Sequence, residues 1–335
     1  MKWIKLIAAS AALMVMGCSG GVTKETTLPQ TTPQETTESK SGEFKVALLT
    51  PGPVSDAGWS ALAYDGLLAV EKDLGAKISH QEATGPKIRD AMRTYAQDGY
   101  SVIFGHGYEY NAPGVELAKD FPNTVFISSS GGETAPNAGA LRFYLERSFY
   151  LAGMLAAELS KTGKLAMIGG PDVPSIRSTF KGFAAGAKAA RPDIIVSEVF
   201  TGKDSDIAAA HQATLSAIDA GADFVIHQAN AAAQGVFDAA KERGILAFGA
   251  NANQNDNASG VVLASAVIIV KPVFIDLARQ VKEGKYKGSV VLAGSVDLVI
   301  NPKLASRIPA AIQAKLDQAK ADIESGKIVV PKDEF

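Results

Sequence analysis

From Phe44 onward the chain alternates short apolar runs with segments of helical periodicity, and it runs through that alternation twice. This restricts the fold more than any other feature. Residues 44–50, 77–83, 101–105 and 124–128 read as strands, separated by helical segments at 60–74, 87–97 and 111–119. The runs at 44–50, 101–105 and 124–128 are largely apolar, as strands buried on both faces require. Strands that alternate with helices in this way pair in parallel and carry helices on both faces. The pattern then restarts. Helices at 148–161, 180–190, 205–220 and 232–243 are interleaved with strands at 164–169, 194–200, 224–227 and 246–249. The remaining elements are a strand at 261–265, a helix at 267–283, a strand at 289–298 and a helix at 310–325. They are too few for a third domain, so they should complete the two blocks by crossing back between them. The expected fold class is α/β: two doubly wound parallel-sheet lobes joined by a three-crossover hinge. The N-terminal lobe is expected to hold 44–145 plus about 266–288, and the C-terminal lobe 146–265 plus about 289–335. A ligand would then lie between the lobes, at the strand ends.

The segment before Phe44 has a different character. Lys2 and Lys5 precede an apolar run at 7–16, which is too short to span a bilayer and suits an export signal. The run ends in Val15-Met16-Gly17-Cys18, which resembles the lipobox of bacterial lipoproteins. That implies removal of a signal peptide, residues 1–17, and lipid attachment at Cys18. Cys18 is the one cysteine of the chain, so acylation accounts for it better than pairing does. Residues 18–43 are rich in Thr, Ser, Gly, Pro and Glu and lack aromatics up to Glu43, a composition that cannot bury a core. They read as a lipid-anchored flexible tether of roughly 25–30 Å root-mean-square span.

Charge and motifs exclude several classes of function. The formal net charge is −2 with no basic block, so nucleic acid is not expected as a partner. No later apolar run reaches the length of a membrane span. The sequence has no GxSxG, HExxH or CxxC, and its four histidines are scattered. The chain therefore reads as a non-enzyme, with no catalytic residue, no metal and no cofactor expected. The loops that follow the strands hold the candidate contacts. After the first strand comes TPGPVSDAGWS, with Asp56, Trp59 and Ser60 leading into a helix. Asp56 and Ser60 could also serve as helix caps. A tryptophan on such a loop suits a ligand wall. Next come His106 and Tyr108 within HGYEY, then GGPDVP with Phe180 beyond it. Asn230 and Asn251 follow the strands at 224–227 and 246–249. Aromatic plates with amide and carboxylate edges suit a planar heterocycle, although a sugar or amino acid stays open on this basis.

Several stretches, taken in order, resemble the basic membrane protein family, the purine-nucleoside-receptor-like lipoproteins of ABC importers. They are LLTPGPVSDAGWSALAYDG, the Gly105/Gly107 loop, GGPDVPSIRSTFKGFAAG, GADFVIHQAN with QGVFDAAKERG, and GANANQ. The resemblance covers Phe44 to the end. It implies a periplasmic-binding-protein type I fold, a purine nucleobase or nucleoside as ligand, an ABC permease as partner, membrane attachment on the extracytoplasmic side, and a monomer. By that match Asp56 would bond the base edge. Trp59 and Phe180 would sandwich the ring, and Tyr108, Asn230 and Asn251 would complete the cleft. Two departures stand out. Asn251 occupies the place of an aspartate that holds ribose in nucleoside-binding members. Ala266-Val-Ile-Ile269 follows Ser265 where those members carry a lysine, and Lys271 lies further on. The expectation is therefore a site in which a free base such as adenine fits as well as a nucleoside. The alternatives are a sensory or regulatory receptor on the same fold and, further off, a secreted nucleoside-processing enzyme.

Overall fold

The computed structural model describes residues 42–334 apart from Ala57 and Gly294. The expected signal peptide, Cys18 and all but the last two residues of the expected tether lie outside the described residues. Two six-stranded sheets form the body. The first contains β1 (Lys45–Thr50), β2 (Lys77–Glu82), β3 (Val102–Gly105), β4 (Val125–Ser129), β5 (Ala138–Phe143) and β11 (Val290–Ala293), in the order β11-β5-β4-β3-β1-β2. Every neighbouring pair in it is parallel. The second contains β6 (Lys164–Gly169), β7 (Ile195–Phe200), β8 (Phe224–Gln228), β9 (Leu246–Asn251), β10 (Val262–Ile268) and β12 (Val296–Ile300), in the order β12-β10-β9-β8-β6-β7. Only β12 runs antiparallel, against β10. The two sheets share one winding. In each, the strand order reverses beside the first strand, between β1 and β3 and between β6 and β8.

Burial follows position in the sheet. The central strands β3, β5, β8 and β10 are buried along their whole length, whereas the edge strand β7 is mostly exposed. In the first lobe α1 (Trp59–Leu74) packs against α8 (Val270–Lys282), and Phe104 stacks on Phe274 at 4.3 Å. In the second lobe α4 (Glu146–Leu159) lies against α5 (Pro174–Ala190) at backbone contact distance. A Cβ on Gly186 would sit 1.9 Å from the Tyr150 carbonyl oxygen, and one on Gly153 would sit 2.0 Å from that of Phe183. Only glycine permits helices this close.

The chain crosses between lobes at 143–146, 268–270 and 293–296. Three expectations need correction here. The run at 289–298 is not one strand. It breaks after Ala293, so that β11 completes the first sheet and β12 the second, and the tail from 289 onward does not belong to the second lobe alone. Residues 138–143, not expected to be a strand, form the fully buried β5. Helix α5 begins at Pro174, six residues before the expected start, with the proline at its first turn.

Candidate ligand-binding cleft

In doubly wound sheets the reversal of strand order leaves a crevice at the carboxyl ends of the strands. Here both crevices open onto one cavity of about 390 Å³ between the lobes. The first lobe contributes Pro51 after β1, Gly107 and Tyr108 after β3, and Ser129 and Ser130 at the end of β4. The second contributes Pro171 after β6, Gln228 and Asn230 from β8 and its loop, and Asn251 at the end of β9. The crossovers supply Phe143, Leu145, Glu146 and Ile268. The size is that of a small-molecule site. Among the described residues, three that are not glycine have positive φ: Ser130 at 93°, Asn230 at 45° and Asn251 at 67°. All three line this cavity. Backbone held in so sparsely populated a region is characteristic of ligand clamps.

Trp59 is the first residue of α1 and forms part of the cavity wall. Its indole stacks on the His106 imidazole at 3.7 Å between centroids, and its Nε1–H donates to the His106 carbonyl at 2.9 Å. These two contacts fix the plane of the ring. His106 itself is fully buried behind the tryptophan and does not line the cavity. Its Nδ1 pairs with Ser129 Oγ at 2.7 Å. Tyr108 is exposed at the cavity rim.

Asp56 has a different place from the one expected. Oδ1 accepts from the amides of Gly58 and Ala61, and Oδ2 accepts from the amide of Ser60 and from Asn230 Nδ2, all at 2.9–3.0 Å. A carboxylate offers about four lone-pair sites, so this one is saturated and cannot also read a ligand edge. It satisfies the otherwise unpaired amides at the start of α1. The remaining first-turn amide, that of Trp59, donates to Asn230 Oδ1 at 2.8 Å. A side chain of the second lobe thus completes the capping of a first-lobe helix across the cavity mouth. Ser60 is fully buried beneath this turn rather than in the cavity.

Phe180 is also displaced from its expected role. It is 1% exposed and packs 5.6 Å from Phe200 in the core of the second lobe. Because α5 starts at Pro174, its cavity face is formed by Ser175, Ile176 and Thr179, preceded by Val173. The wall that α5 gives the cavity is thus aliphatic and hydroxyl-bearing, not aromatic. Asn251 donates to Gln228 Oε1 at 3.1 Å, and no carboxylate stands at its position. The sequence reading left out Glu109, Arg142, Glu146 and Asp204, which bring the charge to the cavity. Arg142 and Glu146 form an ion pair at 2.7 Å, with side chains 5% and 2% exposed.

Below Asn251 a buried polar network holds the loop. His227 Nε2 pairs with Gln254 Oε1 at 2.8 Å, and Gln254 Oε1 also accepts from the Ala250 amide. Since that oxygen only accepts, His227 carries its proton on Nε2. Burial pushes His106 down to about 3 and His227 down to about 4, so both are neutral in the fold. The unfolded chain takes up protons at both near the ordinary 6.5. Stability is therefore complete above that pH and falls as pH drops below it. At pH 4.5 the loss is on the order of 2–3 kcal/mol per imidazole. Thermal melts from pH 7 to 4.5 test this. The midpoint should fall, and His227→Gln should flatten the fall. Parallel profiles would contradict the assignment.

Two α/β lobes of the same winding, joined by three crossovers around a ligand-sized cavity, define a periplasmic-binding-protein type I architecture. Among the described residues no helix is long and apolar enough to cross a membrane, and no group of His, Cys, Asp and Glu is placed to hold a metal. Residues 44–334 match the model of the Bmp family, described as ABC transporter substrate-binding protein PnrA-like, and the chain belongs to that family. It is a substrate-binding protein of an ABC transporter system. It is 27% identical over 292 residues to a "Purine-binding protein" of Brucella abortus, covering 85% of this chain and 82% of that one. It is 29% identical over 318 residues to the "ABC transporter nucleoside-binding protein BmpA" of Lactococcus lactis, covering 86% and 89%. Its fold matches a solved ABC transporter solute-binding protein from Aeropyrum pernix with a TM-score of 0.77 at 19% identity, covering 87% of this chain and 94% of that one.

Proposed function

We propose that this chain captures a purine, as free base or nucleoside, in the inter-lobe cavity and delivers it to an ABC permease, while Cys18 carries a lipid anchor in the membrane. The observation that supports the purine most is the Trp59 indole, held rigid by His106 on the wall of a cavity about 390 Å³ in volume. A fixed aromatic plate stabilises a stacked base by about 1–3 kcal/mol whatever its edge pattern. Val173 and Ile176 press the other face. Asn230, Asn251, Gln228 and Thr179 offer amide and hydroxyl groups to the edges. Closure of the lobes about the three crossovers would exclude water from the bound ring. The names of the Brucella and Lactococcus relatives favour the same ligand class.

The lack of a carboxylate at Asn251 favours a base, or a nucleoside whose sugar is held differently from the usual mode. Calorimetry with adenine, guanine, adenosine and guanosine tests both levels of the reading. Binding of adenine at least as tight as that of adenosine is expected. Nanomolar nucleoside binding with no base binding overturns the preference for a base, and no binding of any of the four overturns the purine assignment.

A further inference from the structure

Glu146 opens α4 on the first crossover and lines the cavity with a side chain 2% exposed. Its Oε1 is committed, accepting from Arg142 Nη2 at 2.7 Å and from Ser178 Oγ. Its Oε2 is buried and has no hydrogen-bond partner among the described residues. A buried carboxylate oxygen without a donor is costly, and the residue that carries it lines the cavity. The carboxylate is also well braced. The Asp333 amide donates to Ser178 Oγ at 2.9 Å, and Arg142 Nη1 donates to the Asp333 carbonyl, so both groups on Oε1 are held by the C-terminal segment.

The charges of the cavity point the same way. Three carboxylates, Glu109, Glu146 and Asp204, line it together with one guanidinium, Arg142, which is engaged with Glu146 and Asp333. Burial, and with it the Asp204 carboxylate of the second lobe, raises the affinity of Glu109 for a proton. The first-turn amides of α1, which could otherwise have bound an anion, are filled by Asp56 and Asn230. A phosphorylated ligand would meet these acidic groups and find the amides at the start of α1 already taken.

We propose that Glu146 is a specificity-determining residue whose Oε2 accepts an N–H of the ligand, so that the site takes uncharged N–H-bearing heterocycles and rejects their phosphorylated forms. This rests on the purine reading above and adds to it the group that reads the edge. A hydrogen bond to a charged acceptor corresponds to about 10- to 100-fold in affinity.

The test is titration calorimetry of the full chain with adenine, 9-methyladenine, N6,N6-dimethyladenine, guanosine, 1-methylguanosine, adenosine and adenosine monophosphate. One methylated compound should bind about 10- to 100-fold more weakly than its parent. Glu146→Gln should weaken the parent by a similar factor and should not weaken that methylated compound further. Adenosine monophosphate should bind at least 100-fold more weakly than the better of adenine and adenosine. The assignment falls if every methylated compound binds the wild type within threefold of its parent, or if a folded Glu146→Gln binds the parents within threefold of wild type. If that variant does not fold, the wild-type series decides the matter alone. If neither adenine nor guanosine binds the wild type, the purine reading falls and takes this inference with it. A failure confined to the methylated compounds overturns only the role of Glu146.

Discussion

Replacing Trp59 by alanine should weaken purine binding at least a hundredfold and leave the unfolding midpoint within a few degrees of wild type. The indole is half-buried at the start of α1, and it meets the cavity on one side and the His106 ring on the other. Its loss removes a stacking contact of about 1–3 kcal/mol. It also removes the apolar wall that keeps water from the ring, which contributes further because aromatic side chains cover 150–250 Å² each. The effect on folding is small because alanine is a good helix former at this half-buried helix end. The capping of α1 rests on the Trp59 backbone amide rather than on its side chain. Calorimetry with adenine and guanosine, paired with a thermal melt, separates the two effects. Affinity within threefold of wild type would mean that the indole is not part of the site. The companion variant Phe180→Ala should behave in the opposite way. That side chain is in the core and set back from the cavity, so a cavity-forming loss of about 3–5 kcal/mol in stability is expected.

These contrasting expectations for two aromatic residues show how far the sequence can be read. The alternation of apolar runs and helical segments was sufficient for the two-lobed fold, because strands buried on both faces leave a strong compositional trace. It failed at β5, where AGALRF carries glycine and small residues and only burial by its neighbours makes a strand. It failed again at 289–298, where VVLAGSVDL reads as one continuous strand although one strand ends at Ala293 and the next begins at Val296. The loop residues Trp59, Tyr108, Asn230 and Asn251 could be placed from sequence because the carboxyl end of a parallel strand fixes where its loop emerges. Phe180 could not, because reading the helix from residue 180 rather than from Pro174 leaves its inward face unrecognised. Asp56 was legible as a carboxylate near a helix start, yet only the structure shows that four donors occupy it. Arg142 and Glu146 have the i, i+4 spacing of an ordinary surface pair. Nothing in that spacing says that the pair is buried at a crossover beside a cavity or that one carboxylate oxygen is left without a donor.

Asn230→Gly should shift the ligand-free protein toward a more open form by about two orders of magnitude. One amide side chain spans the mouth of the cavity, accepting from the Trp59 amide at 2.8 Å and donating to Asp56 Oδ2 at 2.9 Å. The first bond is neutral and contributes about 1 kcal/mol, while the second, to a carboxylate, contributes about 1.5–3 kcal/mol. Their sum of about 3 kcal/mol corresponds to roughly a hundredfold in the ratio of closed to open molecules. Glycine is the informative replacement because it keeps the positive φ of this position without steric cost. Folding is spared because both first-lobe partners become accessible to water when the lobes part. Solution scattering of the ligand-free protein should therefore show a larger radius of gyration than wild type. Ligand affinity should fall in proportion to the lost closed population. Gly58→Ala tests the same contact from the other lobe. The added Cβ would lie 2.5 Å from Asn230 Oδ1, a distance at which the amide must swing aside and give up its bond to the Trp59 amide. The two variants should expand the protein alike, and their combination should add little, since both break one contact. If neither variant changes the ligand-free radius, the closed arrangement is held by the three crossovers and not by the contact at the mouth.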